Sequence, residues 1–509
     1  MKNSKFKIQN SISLLTAVFI LSLSAFAQEV PPTPSAPRSA QIPAVVEKKL
    51  PNGLTVATVE RKNVPLVTVQ LLIQSGANNE DVEKAGLANM TASMLTKGTK
   101  TRTASQIAEQ MEFLGGSIIS GAGWNNSVVT INVMSDKIDT AMTILADVVL
   151  NPKFDQKELD LLKSQTLDGL AYNLKQPGFL ANYVASKYSF DEHPAGGTPE
   201  SLKALTRKDI LDFKNMEYQP ANAVLIFTGD ITAIKARALA AKFFGGWRAP
   251  VVKEKIVTMD DSSYVPPPKD LSGKTEKAEI PVVRRILIVD LPNSGQAAVN
   301  YTTLIQKGRN DYDANDKPIS GSVYFPANVL NSVLGGGYSS RLNQEIRIKR
   351  GLSYGAGSGF AWRSDTSNFS TRTQTKNESA AEVAELVLAE LTRLANSDVS
   401  TNELAPRKLV LTGDFGRDLE TTGGLAERVA ELYSFNLPMN ELNSFIPSVQ
   451  TVTDSQIKDF AMKNLKSGDI VIVGDYSVFK ADLAKRFPNM KIDVIKAADL
   501  DLSKDNLQK

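Results

Sequence analysis

Thr206-Arg207-Lys208-Asp209-Ile210-Leu211-Asp212-Phe213 in the first half of the chain and Thr453-Asp454-Ser455-Gln456-Ile457-Lys458-Asp459-Phe460 near its end share Thr, Ile, Asp and Phe at one constant spacing. After a two-residue slip, Val224-Leu225-Ile226-Phe227 with Gly229-Asp230 recurs as Val471-Ile472-Val473 with Gly474-Asp475. A helix-like segment follows each run, over 233–244 and 478–487. Self-similarity of this kind marks a duplicated structural unit. The chain is therefore read as α+β, with two homologous domains that each end in helix, strand, turn and helix. Each copy is expected to be a mainly antiparallel sheet with helices packed on it.

Working outward, 509 residues suggest about three domains at roughly 150 residues each, and two large ones also fit. The 42 % apolar and 22 % charged content is that of a folded, water-soluble protein. With 58 basic against 55 acidic side chains the net charge is +3, so no summed field favours nucleic acid or an anionic membrane. Lys2, Lys5 and Lys7 precede an apolar run over 12–26 that ends in Ala25-Phe26-Ala27, so residues 1–27 read as a secretory signal peptide. Ser13, Thr16, Ser22 and Ser24 interrupt the run, which disfavours a permanent membrane anchor. Export to the periplasm, or out of the cell, is expected. The chain has no cysteine, so its core must hold it together without disulfides.

Residues 28–44 include Val30-Pro31-Pro32-Thr33-Pro34-Ser35-Ala36-Pro37, a solvated, extended spacer. A second break at Val265-Pro266-Pro267-Pro268 lies in an expected linker, 251–281. The domains are accordingly placed at 45–250 and 282–500. Residues 54–60 and 66–73 read as strands joined by a turn. Residues 380–394 read as a core-packing helix, with Val383, Leu386, Val387, Leu391 and Leu394 at helical spacing.

Gly86-Leu87-Ala88-Asn89-Met90-Thr91-Ala92-Ser93-Met94-Leu95-Thr96-Lys97-Gly98-Thr99 follows the two strands and reads as a buried helix. It resembles the active-site helix of the pitrilysin/insulinase family of zinc peptidases. In that family an H-x-x-E-H motif sets two histidines one turn apart to bind zinc, with a glutamate as general base. Here the three positions hold Asn89, Ala92 and Ser93. Asn is a poor zinc ligand, Ala has no polar group, and Ser stays protonated near neutral pH. The family's third ligand falls near Gly169, with Asp168 one residue away. The whole chain holds one histidine and no cysteine, whereas catalytic zinc draws mainly on those types. That histidine, His193 in Asp191-Glu192-His193-Pro194-Ala195-Gly196-Gly197-Thr198-Pro199, reads as a loop residue making local hydrogen bonds.

In the second half, Gly335-Gly336-Gly337-Tyr338-Ser339-Ser340-Arg341-Leu342 opens a helix running to about Lys349. Gly351 then stops it, and 352–360 reads as a strand. The run resembles the family's second-domain signature, especially in its mitochondrial-processing-peptidase-like bacterial branch, as does Thr421-Thr422-Gly423-Gly424-Leu425-Ala426-Glu427. The resemblance covers 45–495. It implies that Arg347 and Tyr354 reach toward a substrate held on zinc, where a guanidinium and a phenol suit a developing oxyanion. On residues alone, an arginine ending a helix often only complements the helix dipole, and a strand tyrosine often only packs.

The resemblance also implies half of a clamshell, completed by a homologous subunit that keeps H-x-x-E-H and supplies zinc and base. This chain would then bind no cofactor itself, hold no catalytic residue of its own, and help bind and orient peptide or unfolded polypeptide substrates. Two rivals stand beside this reading: an inert peptide-binding or structural module of the same fold, and a hydrolase acting alone, against which the single histidine argues. Gly351-Leu352-Ser353-Tyr354-Gly355 spells G-x-S-x-G but reads helix before and strand after, the reverse of a nucleophile elbow. Asp414-Phe415-Gly416 lacks the rest of a kinase site. The triple glycine lacks the lysine of a phosphate loop, and Ser477-x-x-Lys480 lacks the other β-lactamase elements.

Overall fold

The computed structural model describes residues 42, 44–248, 282–312 and 322–509. The signal peptide, nearly all of the proline-rich spacer and the linker at 251–281 lie outside the described residues. The first half runs β1 (Val46–Lys49), β2 (Thr55–Glu60), β3 (Leu66–Ile73), α1 (Leu87–Leu95), α2 (Ala104–Phe113), β4 (Ser117–Ala122) and β5 (Ser127–Met134). It continues with α3 (Ile138–Leu150), α4 (Gln156–Asn173), α5 (Pro177–Phe190), α6 (Pro199–Ala204), α7 (Arg207–Glu217), β6 (Ala223–Gly229) and α8 (Ala233–Phe244).

The second half repeats the plan: β7 (Val282–Asp290), β8 (Ala297–Ile305), α9 (Tyr324–Leu334), a π-helical turn (Asn343–Ile348), β9 (Ala356–Trp362), β10 (Ser367–Thr375) and α10 (Ala380–Asn396). Then come α11 (Thr401–Glu420), α12 (Thr422–Ser434), α13 (Glu441–Thr451), α14 (Asp454–Asn464), β11 (Ser467–Gly474), α15 (Tyr476–Arg486) and β12 (Ile492–Lys496).

The sheet orders β1-β2-β6-β3-β5-β4 and β12-β7-β11-β8-β10-β9 superpose strand for strand over five positions. Only the first edge differs: β1 comes from the start of its half and pairs antiparallel, while β12 comes from the end and pairs parallel. Most pairings are antiparallel; β2–β6 and β7–β11 are parallel. The strands at 55–60 and 66–73 are joined by a short connection, as their sequence suggests, but they are not neighbours. β6 lies between them, because a strand of seven buried residues gains most by burial on both flanks.

The repeated residues have matching jobs. Thr206 caps α7 and Thr453 caps α14, each in a capping box with the residue three further on. Ile210 and Phe213, like Ile457 and Phe460, are the buried stripe of those helices.

Each half lends a helix to the other's sheet. α5 lies on β8, β10 and β11, and α12 lies on β3 and β6. Ser189 and Thr302 hydroxyls meet at 2.7 Å, Thr68 Oγ1 donates to Thr422 Oγ1 at 2.8 Å, and Thr228 Oγ1 donates to the Thr422 carbonyl at 2.7 Å. The 421–427 motif therefore seats the first turn of α12 on the first sheet.

Candidate functional site

α1 begins deep in the first half, where a helix end needs acceptors for its free N–H groups. Its N-cap, Gly86, has φ +91 and no side chain to offer; a Cβ there would stand 2.9 Å from Gly197 Cα. Glu80 fills the role from outside the helix. Its fully buried carboxylate accepts from Gly86 N at 2.7 Å and Ala88 N at 2.6 Å, and His193 Nε2 lies 3.1 Å from the same group. A buried carboxylate at a helix N-terminus is stabilised by those donors and by the helix dipole.

Leu87, Met90, Thr91 and Met94 bury one side of α1. Asn89 and Ser93, one turn apart, stay partly exposed, and Ala92 is buried. Ser93 Oγ donates to Asn89 Oδ1 at 3.3 Å, and Asn89 Nδ2 reaches the Ala122 carbonyl at a long 3.5 Å. The helix that carries the three motif positions is thus intact, while its amide and hydroxyl are spent on each other. Asp168 and Gly169 are exposed on α4. Among the described residues no group of three or more His, Asp and Glu side chains gathers where a metal could sit. These donors do not fit a zinc ion.

His193 is also part of a bridge between the halves. Its ring lies 5.1 Å from that of Trp124, over which the Arg363 guanidinium sits at 4.5 Å. Arg363 Nη2 and Asn368 Nδ2 donate to Glu192 Oε2 at 2.9 and 2.8 Å. The histidine's hydrogen bond thus reaches a residue distant in sequence rather than, as expected, one in its own loop. Glu80, Trp124 and Arg363 escape a reading of the sequence, since nothing near them signals partners more than sixty residues away.

In the second half α9 stops at Gly335, where a Cβ would fall 2.2 Å from Ser358 N. The chain then turns into helix again at 341, with π geometry over Asn343–Ile348, and Gly351 closes it at φ +64. β9 starts at Ala356, later than 352. Tyr354 therefore lies in the bend before the strand, and it is 89 % exposed. The bend exists because Ser353 Oγ accepts from Gly355 N at 3.0 Å and donates to Gly355 O at 2.6 Å. That local turn also occupies the serine of the G-x-S-x-G spelling.

The cations of this helix differ sharply. Arg341 is 5 % exposed and forks onto Glu403 with two bonds of 2.8 Å. Lys349 and Arg350 both pair with Glu345 and hold its carboxyl below the usual range. Arg347 has no carboxylate partner among the described residues; its guanidinium lies 4.9 Å from the ring of Tyr338, itself exposed. Tyr354 lines a cavity of about 430 Å³ with Phe179, Asn182, Asn300, Arg372 and Gln374. Arg347 is not in that lining.

Two profiles of one peptidase family match the chain. Residues 55–186 match the profile described as Insulinase (Peptidase family M16), and residues 204–409 match Peptidase M16 inactive domain. A Rickettsia felis protein described as an uncharacterized zinc protease is 25 % identical over 409 residues, 79 % of this chain and 91 % of that one. A Bacillus subtilis protein with the same description is 23 % identical over 381 residues, 74 % of this chain and 85 % of its own. Among solved structures, the peptidase M16 inactive domain from Pseudomonas fluorescens superposes with TM-score 0.71 at 25 % identity, covering 84 % of this chain and 98 % of that one. A protease from Helicobacter pylori shares the fold, with TM-score 0.73 at 20 % identity over 85 % of this chain and all of its own. The two sheet-and-helix halves match the two-domain fold of these structures. The chain belongs to peptidase family M16, the pitrilysin/insulinase family.

Proposed function

We propose that this chain is the non-catalytic subunit of an exported heterodimeric zinc peptidase, in which a homologous subunit keeping H-x-x-E-H carries the metal and the base. This chain supplies no metal ligand. Its part is to bind and orient peptide substrate and to offer Arg347 and Tyr354 to the oxygen that becomes negative as the peptide carbonyl is attacked.

The observation that carries this reading is the contrast along residues 341–354. Arg341, Lys349 and Arg350 are committed to carboxylates, whereas Arg347 has none among the described residues and Tyr354 stands exposed. An inert structural module of the same fold has no use for a guanidinium without a carboxylate partner and an exposed phenol so close in the chain. The M16 fold and the absence of fitting zinc donors at Asn89, Ala92 and Ser93 support the division of labour.

The test is co-expression with an H-x-x-E-H homologue from the same genome. The pair is expected to co-purify and cleave an unfolded peptide. Arg347→Ala or Tyr354→Phe should each lower kcat by roughly 100-fold with assembly unchanged, as removal of an oxyanion donor does. Arg350→Ala is the control, since that side chain is exposed and, among the described residues, pairs only with Glu345. Arg341→Ala is unsuitable, because it would leave Glu403 without its buried partner. Unchanged turnover in both variants would leave the structural module as the better reading.

A further inference from the structure

The cavity beside Tyr354 mixes amide side chains with the apolar surface of Phe179 and Ala298. Its one charged lining side chain is Arg372, on β10. Gly357 is the cross-strand partner of Arg372, and a Cβ at Gly359 would lie 3.0 Å from Arg372 Nη2. Glycines on β9 thus leave the space over which the guanidinium lies. Other arginines have carboxylate partners: Arg363 pairs with Glu192, and Arg284 and Arg285 share Asp469. Arg372 has no carboxylate within ion-pair distance among the described residues, and no Asp or Glu lines the cavity.

Around it stand amides and a phenol. Asn182 and Asn300 side chains meet at 3.0 Å, bracing one wall. Gln374 is pressed against the first turn of α5, where a Cβ on Gly178 would fall 2.2 Å from Gln374 Nε2. Gln176, the N-cap of α5, gives that turn no side-chain acceptor, so the turn adds donors rather than competing for them. The cavity, at about 430 Å³, takes a side chain rather than a large ligand. A second cavity of about 350 Å³ shares Asn182 and Arg372 and continues along the same face to Glu192 and Arg363.

We propose that this cavity is a carboxylate subsite for the bound polypeptide, in which Arg372 receives an Asp or Glu side chain, or a free C-terminus. The proposal rests on the peptide-binding reading above and adds a preference to it. An exposed, unpaired guanidinium with room for a planar oxyanion gives a charge-assisted, two-pronged contact. The surrounding amides orient it without adding a competing negative charge.

Three fluorescein-labelled, unstructured peptides that differ in one feature test it by anisotropy on the full mature chain: one internal Asp with an amidated end, Asn at that position with an amidated end, and Asn with a free carboxyl end. The Asp peptide is expected to bind roughly tenfold more tightly than the amidated Asn peptide, the scale of one charge-assisted contact. Arg372→Gln should erase that advantage and leave the neutral peptide's affinity unchanged. An advantage confined to the free carboxyl end, erased in the same way, assigns the terminus as the source. Equal binding of all three, or losses in Arg372→Gln that do not depend on the carboxylate, overturn the subsite while peptide binding stands.

If no peptide binds, the peptide-binding reading fails, and titration with N-acetyl-aspartate amide decides the subsite alone. The arginine Nε–Hε resonance that vanishes in Arg372→Gln should shift saturably with this probe and not with N-acetyl-asparagine amide. No such shift overturns the proposal.

Discussion

Glu80 shows at the scale of one residue how a degenerate site keeps its shape. A helix whose N-cap must be glycine cannot cap itself, and burial removes water as a substitute. The Glu80 carboxylate meets two N–H groups and the His193 ring while shut off from solvent. Replacing it by alanine strands the two backbone donors, at about 1–3 kcal/mol each. Glu80→Ala is therefore expected to lower unfolding free energy by about 3 kcal/mol or more in urea titrations. His193→Ala removes one partner of a carboxylate that keeps two others, and should cost about 1 kcal/mol. Equal losses would mean that Glu80 serves the histidine rather than the helix. His193 and its loop stand out in the sequence, but the hydrogen bond expected within the loop runs instead to Glu80, far away in the chain. Its partner does not stand out, because a buried acid 113 positions away follows no local pattern. Arg347 and Tyr354 are legible only through their surrounding motif, and that motif could not reveal that Tyr354 precedes the strand. That position depends on the Ser353 turn.

Elements were legible where local chemistry decides them. The helix over 233–244 and the strand over 66–73 have the bounds read from sequence, since caps and apolar spacing are short-range signals. Strand neighbours were not: β6 inserts between β2 and β3 from 150 residues further on, and nothing in a strand's own residues names such a partner. The duplicated Thr of α7 and α14 belongs to the legible kind, and in α7, where its capping-box partner is Asp209 rather than a glutamine, it brings a pH dependence. Burial raises the Asp209 carboxyl. Hydrogen bonds from Lys84 and from the hydroxyl and N–H of Thr206 outweigh that and bring it down to about 2, from a usual 3.8. A depressed carboxyl stabilises the fold above its unfolded value and ceases to as pH falls through its folded one. Its worth is about 1 kcal/mol once solvent screening at this partly exposed site is counted. Asp209→Asn should thus be less stable than the unaltered chain near pH 7, with the difference closing between about pH 4 and about pH 2. A gap that stays constant across that range would assign the effect to lost packing instead.

At the scale of the whole molecule, the exchanged helices make each half incomplete alone. The apolar cluster centred on the first sheet includes Leu287, Val289, Val471 and Val473 of the second half, and the one centred on the second sheet includes Val59, Leu72, Val224 and Ile226 of the first. All eight are at most 3 % exposed in the intact chain. A fully buried Leu, Ile or Val contributes about 1.5–3 kcal/mol, so uncovering four on either side would remove about 6–12 kcal/mol, comparable to the whole stability of a domain. Polar groups add to this, since Thr228 and Thr68 both spend their hydroxyls on Thr422 across the divide. Chains comprising 44–248 and 282–509, made separately, are therefore expected to be insoluble or to lack a cooperative melt. Co-expressed, they should co-purify as a 1:1 pair and melt in one transition, because the exchanged helices can still seat without a covalent link. A full-length chain in which Leu425→Pro removes the Leu425 N–H bond to the Thr421 carbonyl, and so breaks the first turn of α12, should lose stability in both halves together, read as simultaneous loss of amide protection in β3 and β8. A first half that folds alone with a sharp melt, or protection lost from β8 while β3 keeps its own, would show two independent domains and refute a shared core.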